Sequence, residues 1–283
     1  MAKGNLLLGT AGNSVGDVVM YRREGAQVSR VRVRKIKNPK TDAQSLQRAA
    51  FSPVAKFYSP LAVVLERSFE GLSKMKSYNK FLKTNIDLAR ANGWLLPKGT
   101  GFFPLPYDLS KGSIPSAVYT LAQNNGGLVL TSAVGPASPT TMGDLSEYFT
   151  LSGYNNGDVV TIIVISGNAS NLNGGFAPQA FQFIVNTSST DTIADTLPNI
   201  TVSAEQGFLK VNLKVGTVVA GAFIVARFEN EKWRRSTQFL LVDTTITTAI
   251  AATDYKAAAI ASYGMNAGDP NPLVYLDGDT LEG

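Results

Sequence analysis

The 283-residue chain contains no cysteine and no histidine. Without cysteine it cannot form disulfides, thiolate nucleophiles or Cys-ligated metal sites. Without histidine it lacks the commonest metal ligand and the commonest general base near neutral pH. Ser-His-Asp triads, Cys-His dyads, zinc hydrolases and most zinc-finger modules are therefore excluded. Carboxylate-pair and Ser-Lys catalysis stay chemically open, but no paired-acid pattern stands out. The sequence predicts a protein that is not an enzyme and uses no cofactor or metal.

Long hydrophobic runs are also missing. No stretch of about 18 apolar residues occurs without a charge, so no membrane-spanning helix is expected. The leucine run at 6–8 is too short for the core of a secretory signal, and we interpret Met1 as the start of a protein made in the cytoplasm. With 44% apolar and 17% charged residues, the composition is typical of a folded globular protein.

Charge is divided unevenly along the chain. Residues 1–100 hold 18 Lys and Arg against six Asp and Glu, a net charge of +12. Residues 101–283 hold eight against 15, a net charge of −7. Such a division indicates that the basic end meets an anionic partner, while the acidic part is solvated or contacts a basic neighbour.

Short β-prone runs separated by glycines occupy the first forty residues. The sharpest run is VSRVRVRKIK at 28–37. Alternate residues of a strand face the same side, so Arg30, Arg32 and Arg34 share one face. Val31 and Val33 share the other face, and the sequence predicts an arginine ladder on a strand.

A helical region follows the strands. Thr41 and Gln44 have the spacing of a capping box, which predicts a helix from about residue 42. Apolar residues then recur every three or four positions as far as Phe69, but Pro53 and Pro60 predict breaks or kinks. A second helix is expected to open at Ser77 and to stop at Asn92-Gly93.

Proline and glycine cluster after this region, and strand-length runs follow them. Residues 98–112 are interpreted as a linker between an N-terminal domain, 1–97, and a C-terminal domain, 113–283. The C-terminal runs alternate with Asn/Gly turns, which predicts an almost wholly β, sandwich-like domain; the alanine-rich stretch 247–263 is ambiguous. The predicted fold class is α+β, with a small basic β/helical module followed by an all-β domain. The seven strand runs are VYTLAQ, GLVLTSA, DVVTIIVIS, QAFQFIVN, FLKVNLKV, AGAFIVARF and STQFLLVD.

The N-terminal pattern resembles a known family. The resemblance covers residues 4–118 and rests on GNLLLGTAGNSVGDVVMYRREGAQVSRVR, KNPKTDAQSLQRAAFSPVAKFYSPL, SFEG, SYNKFLKTN and YDLSKGSIPSA. It is similar to uncharacterised proteins of Bacteroidetes and their phages, known only by a domain of unknown function. Their P-x-T-x-x-Q-x-x-R-x-x-F signature corresponds to Pro39, Thr41, Gln44, Arg48 and Phe51, with three residues instead of two between Gln44 and Arg48. The resemblance implies a phage setting and a β-rich tail, but no activity.

The basic segment is the best candidate for a binding surface. Eight cations in 22–40 face one acid, Glu24, and like charges crowded on one strand face repel unless they meet an anion. Arginine matches phosphates and carboxylates. Three readings stay open: nucleic acid, an acidic protein surface such as a neighbouring copy, or a solvated edge strand. The predicted contact residues are Arg22, Arg23, Arg30, Arg32, Arg34, Lys35, Lys37, Lys40 and Arg48.

Other candidate sites have simpler interpretations. Glycines 9, 12 and 16 lack the Lys-Ser/Thr ending of a phosphate loop and are interpreted as turn residues. Acidic residues near the C-terminus are interpreted as a solvated tail rather than a cation site. Trp94 and Trp233 are interpreted as core or linker anchors.

Together these features predict a non-enzymatic structural component of a phage virion. Its basic module would contact nucleic acid or an acidic neighbour. The alternative is a free nucleic-acid-binding protein of phage or bacterial origin. The expected partners are other virion proteins or copies of the chain, in an oligomeric assembly and without a membrane. The expected location is the virion.

Overall fold

The computed structural model falls into two compact units, residues 1–40 with 267–283 and residues 41–266. Packing thus groups the helical region with the β-rich remainder, whereas the sequence grouped it with the N-terminal strands. The predicted domain limits themselves stay predictions. The structure describes residues 13–15, 18–23, 26–31, 41–92, 95, 102, 104–122, 126–167, 176–246, 248 and 255–263.

The first unit contains a three-stranded antiparallel sheet. Its strands are β1 (Asn13–Val15), β2 (Val18–Arg23) and β3 (Ala26–Val31), in that order. In the β2–β3 register Val19 pairs with Arg30. The predicted arginine strand is therefore present up to 31, and its continuation lies outside the described residues.

Helix α1 (Asp42–Leu65) begins where the sequence predicts. The Gln44 N–H donates to the Thr41 hydroxyl oxygen at 3.4 Å, but Gln44 Oε1 is buried without a partner, so the reciprocal half of the capping box is not formed. The predicted breaks are wrong, because α1 runs through Pro53 and Pro60 as one helix. Burial of one apolar face, which includes Pro53 itself, outweighs the lost backbone hydrogen bonds.

Helix α2 (Lys74–Ala91) begins earlier than predicted. Its N-cap is Ser73, and Ser77 lies one turn inside, where its hydroxyl oxygen accepts the Phe69 N–H at 3.2 Å. The two helices pack through aromatic rings: the centroids of Phe57 and Phe81 lie 6.3 Å apart. The predicted stop is confirmed, with Asn92 as C-cap.

The remaining strands form two larger sheets and one two-stranded ribbon. The strands are β4 (Asp108–Ser110), β5 (Tyr119–Leu121), β6 (Leu128–Val134), β7 (Val159–Ser166), β8 (Ala177–Ile184), β9 (Ile200–Glu205), β10 (Phe208–Leu213), β11 (Val218–Glu229), β12 (Lys232–Arg235), β13 (Gln238–Phe239) and β14 (Leu241–Val242). One sheet has the order β5-β6-β10-β9, the other has the order β12-β11-β7-β8 with β14 beside β11, and β4 pairs with β13. All seven predicted strand runs are strands.

The two sheets pack against each other, which is compatible with a sandwich-like arrangement. Tyr119 of β5 and Phe223 of β11 meet edge to face, with ring centroids 5.6 Å apart. A Cβ added at Gly221 would lie 3.2 Å from Leu128 Cδ2, so the absence of a side chain there lets β6 approach β11. The core extends from these sheets to α1 and α2.

The expectation of an almost wholly β region after residue 113 is wrong. Helix α3 (Met142–Leu151) begins with a complete capping box of Thr141 and Asp144. The ring centroids of its Phe149 and of Phe223 lie 5.7 Å apart. A short α4 (Ile193–Thr196) follows, and the ambiguous alanine-rich stretch contains α5 (Tyr255–Tyr263). The α+β class is confirmed.

The predicted linker takes part in the fold where it is described. Strand β4 pairs with β13, and the buried ring of Tyr107 lies 4.5 Å from Phe57 of α1. None of the helices in the described parts of the chain combines the length and the apolar character needed to cross a membrane.

Candidate functional site

The predicted basic surface is only partly within the described residues. Arg22 and Arg23 lie on β2, paired in register with Gln27 and Ala26. Arg30 lies on β3, and Arg48 is half-buried in α1, in the other unit. The other predicted contact residues lie outside the described part: Arg32, Arg34, Lys35, Lys37 and Lys40.

Arg30 is an exposed cation beside an exposed aromatic ring. Its guanidinium carbon lies 5.9 Å from the centroid of Tyr21, whose residue is 40% exposed. Arg30 forms no ion pair with any described residue. At the end of the same strand Val31 is 74% exposed. This sheet therefore presents apolar surface together with a cation that no described residue neutralises.

A second group of cations lies on the β11–β12 hairpin. Its two-residue loop, Asn230-Glu231, has φ values of 51° and 60°, as a type I′ turn requires. The resulting register pairs Arg227 with Arg234 and Phe228 with Trp233. Because side chains alternate along each strand, Arg227 and Arg234 share one face of the hairpin, and Phe228, Trp233 and Arg235 share the other.

Arg227 is neutralised by a buried carboxylate. Its Nε and Nη2 donate to the two carboxylate oxygens of Asp158 at 2.8 and 2.7 Å. This hydrogen-bonded pair raises the pKa of the Arg227 guanidinium above its ordinary value. Asp158 Oδ2 also accepts the Asn155 N–H at 2.8 Å, so the carboxylate has three charge-assisted hydrogen bonds.

Glu70, in the connection between α1 and α2, joins the helical region to the hairpin. Its Oε2 accepts the backbone N–H groups of Ser113 at 2.8 Å and Arg235 at 3.3 Å, and the Ser113 hydroxyl donates to the same oxygen at 2.9 Å. Arg234 Nη1 lies 3.9 Å from Oε1. Burial raises the pKa of Glu70, but these hydrogen bonds and the nearby charge outweigh it, and the pKa lies below its ordinary value.

Arg235 differs from its two neighbours. Its Nε is buried and has no hydrogen-bond partner, and its side chain forms no ion pair with any described residue. The guanidinium carbon lies 5.5 Å from the centroid of the Trp233 ring. Desolvation lowers the pKa of Arg235. The fold thus holds one guanidinium partly out of water, with no counter-charge from the described residues.

Two cavities adjoin the hairpin. The smaller has a volume of about 310 Å³ and lies between the C-terminal end of α1 and the sheet; the larger, of about 620 Å³, lies beside the 67–73 connection. Arg67, in the left-handed region with φ of 56°, and Trp233 line both cavities. The smaller cavity is lined by Val63, Val64, Glu66, Arg67, Val159, Gln182, Trp233 and Arg235.

The sequence interpretation of Trp233 is wrong. The residue is 41% exposed and stands at the cavities rather than in the core, while Trp94 lies outside the described residues. Sequence reasoning also missed Arg67 and Arg235. The cluster of cations in KWRR at 232–235 could have indicated a site here, but only the hairpin register shows that Arg235 and Arg234 lie on opposite faces. Among the described residues no group of three carboxylates is arranged to hold a metal ion.

Comparison with known proteins places only the N-terminal third of the chain. Residues 9–94 match a family of unknown function, DUF6266. The resemblance to an uncharacterised family is thereby confirmed, and the bacterial and phage origin stays a prediction. The DUF6266 match covers β1–β3, α1 and α2. No curated protein and no solved structure shows significant similarity to the chain.

Proposed function

We propose that this protein is a non-enzymatic structural component of a phage particle that binds an anionic partner through its basic segment, 22–40. The observation that carries the proposal is Arg30. It stands exposed on β3 with no acidic partner among the described residues. A cation held on a strand and left unneutralised is available to an anion outside the chain.

The charge pattern supports an assembled protein. Eight cations within 22–40 repel one another, so a partner that neutralises them removes a cost. The opposite charges of the two parts of the chain, +12 and −7, suit head-to-tail contacts between copies or with neighbours. Such contacts are heterologous and build rings or larger arrays. The particle is that of a phage in the setting implied by the family resemblance.

Nucleic acid is the anionic partner that the surroundings of Arg30 favour. Proteins that bind single strands combine cations for the backbone with aromatic rings on which bases stack. Tyr21 supplies an exposed ring 5.9 Å from the Arg30 guanidinium. An acidic protein surface would pair with the cations but would have no bases to stack on the Tyr21 ring.

The test measures the affinity for single-stranded DNA across a salt series. Each neutralised phosphate of a single strand contributes about −0.7 to the slope of log K against log salt concentration. Replacing Arg30, Arg32 and Arg34 by Ser should flatten the slope by about 2.1 if all three contact phosphates. The matched control removes three exposed cations of α2, Lys76, Lys80 and Lys83, and should leave the slope within about one contact of wild type.

Two outcomes count against the proposal. Equal slopes for the two triple variants would show that the ladder is not the contact surface. Absence of the chain from purified particles would remove the structural role and leave the free nucleic-acid-binding protein. Binding to particles that persists while DNA affinity is undetectable would point to an acidic protein neighbour instead.

A further inference from the structure

We infer that the 310 Å³ cavity beside Trp233 and Arg235 is a binding site for a small organic monocarboxylate, with Arg235 as its counter-ion. All residues of this site belong to the second unit, whereas the basic segment of 22–40 belongs to the first, and the inference does not depend on the function proposed above.

The first step is the missing partner of Arg235. Buried donors in folded proteins nearly always have an acceptor, and a charged donor without one is costly to keep. Arg235 Nε is buried without an acceptor, and the side chain has no ion pair within the described chain. Because Arg235 lines the cavity, an anionic ligand bound there would supply the counter-charge that the described residues do not provide.

The second step is a comparison within the same hairpin. Arg227 receives a bidentate carboxylate from Asp158, and Arg234 lies 3.0 Å from the carboxylate of Glu229. Of the three hairpin arginines, Arg235 alone lacks such a partner among the described residues. Since the planar fork of arginine matches a carboxylate, a ligand carboxylate would give Arg235 the kind of partner that Arg227 and Arg234 already have.

The third step is the wall of the cavity. Val63, Val64 and Val159 are apolar, and the Trp233 ring adds a flat apolar surface. Inorganic phosphate would leave these walls in contact with water, whereas a carboxylate attached to an apolar group would cover them. The class of ligand is therefore an amphipathic acid rather than a mineral anion.

The fourth step is size and charge. A volume of 310 Å³ equals roughly ten waters at about 30 Å³ each, which suits a ligand of about ten non-hydrogen atoms. The charged residues of the lining are Arg235, Arg67 and Glu66, so its formal charge is +1 and a monoanion neutralises it.

The experiment titrates the full-length protein by calorimetry with four acids: acetate, isovalerate, phenylacetate and indole-3-acetate. Phenylacetate, with ten non-hydrogen atoms, should bind most tightly, and acetate should bind at least tenfold more weakly. Phenylacetamide, its neutral analogue, and inorganic phosphate should each also bind at least tenfold more weakly. Quenching of Trp233 fluorescence in a Trp94→Phe background reports whether the ligand occupies this cavity.

Variants locate the site. Arg235→Met should weaken phenylacetate binding at least tenfold, and Arg67→Met, at an exposed position, should weaken it severalfold. Arg90→Met, an exposed arginine of α2, should leave the affinity unchanged. Arg235→Met should also melt at or above the wild-type temperature, because it removes a charge without a partner.

The inference is overturned if none of the four acids binds at 10 mM, or if Arg235→Met binds phenylacetate as wild type does. If Arg235→Met fails to fold, Arg67→Met decides: unchanged affinity in that variant overturns the site. Salt-dependent DNA binding by the basic segment should persist in Arg235→Met, so failure of this inference and failure of the proposed function give different results.

Discussion

Replacing Asp158 by Ala should cost about 3–5 kcal/mol of the free energy of unfolding, the range for breaking a buried ion pair. The Asp158 side chain is 2% exposed and that of Arg227 is 25% exposed. The substitution removes two charge-assisted bonds of 2.8 and 2.7 Å and leaves Arg227 without its carboxylate. It also removes the acceptor of the Asn155 N–H, which donates to the same carboxylate.

A double-mutant cycle separates the pair from its surroundings. Arg227→Met alone should cost a similar amount, because it leaves a buried carboxylate with one remaining N–H partner. The double variant should cost clearly less than the sum of the two, with an interaction energy of about 1–3 kcal/mol. Urea unfolding followed by circular dichroism measures each free energy. The control, Asp87→Ala, breaks an exposed pair with Arg90 at 4.0 Å and should cost less than about 1 kcal/mol.

Two results would refute this reasoning. An Asp158→Ala cost below about 1 kcal/mol would place the pair in the class of surface salt bridges. Strict additivity in the double variant would mean that the two charges do not stabilise each other in the folded protein.

Two further predictions concern the hairpin loop and acid sensitivity. Glu231→Gly should stabilise the protein by about 1 kcal/mol, because φ of 60° penalises a residue with a Cβ; thermal unfolding measures it, and an unchanged melting temperature would contradict the strain. Asn230→Gly is the control with a smaller expected gain, since Asn tolerates this region. The lowered pKa of Glu70 means that its stabilisation is present above its unfolded pKa and is lost as pH falls through the folded pKa. Glu70→Gln should therefore destabilise at pH 6 and approach wild type near pH 3 in urea unfolding, and an equal deficit at both pH values would show that the charge of Glu70 is not what stabilises.

The strands were predictable because their signals are local. All seven apolar or alternating runs after residue 113 are strands, and Asn/Gly turns separate several of them. Helix α3 was missed although Thr141 and Asp144 form a complete capping box. Its ten residues lie between strand runs, and the β pattern around them dominated the interpretation.

The continuity of α1 was not predictable from local rules. Pro53 and Pro60 each remove a backbone donor, and local preference then favours a break. The helix persists because Phe57 and Leu61, between and after the prolines, are buried against other elements. Tertiary burial can outweigh the local preference of proline to break a helix, but it cannot be predicted until the packing partners of the helix are known.

The candidate site shows the same limit in another form. The cations of 232–235 are adjacent in sequence, yet their environments depend on distant residues. The partner of Arg227 is 69 positions away at Asp158, and the acceptor of the Arg235 backbone N–H is 165 positions away at Glu70. The sequence shows that cations cluster at 232–235, but only the fold shows which arginine has no carboxylate partner among the described residues.

The bonds of Glu70 also set an order of events during synthesis. Its partner Ser113 follows 43 residues later, and Arg235 follows 165 residues later. At 5–20 residues per second, the ribosome needs roughly 10–30 s to reach Arg235 after Glu70 has been made. During that interval α1 and α2 exist without the hairpin that completes their surroundings. The nascent helical pair therefore passes through a long stage with exposed apolar surface, in which a chaperone or a neighbouring nascent chain can bind it before the native partner emerges.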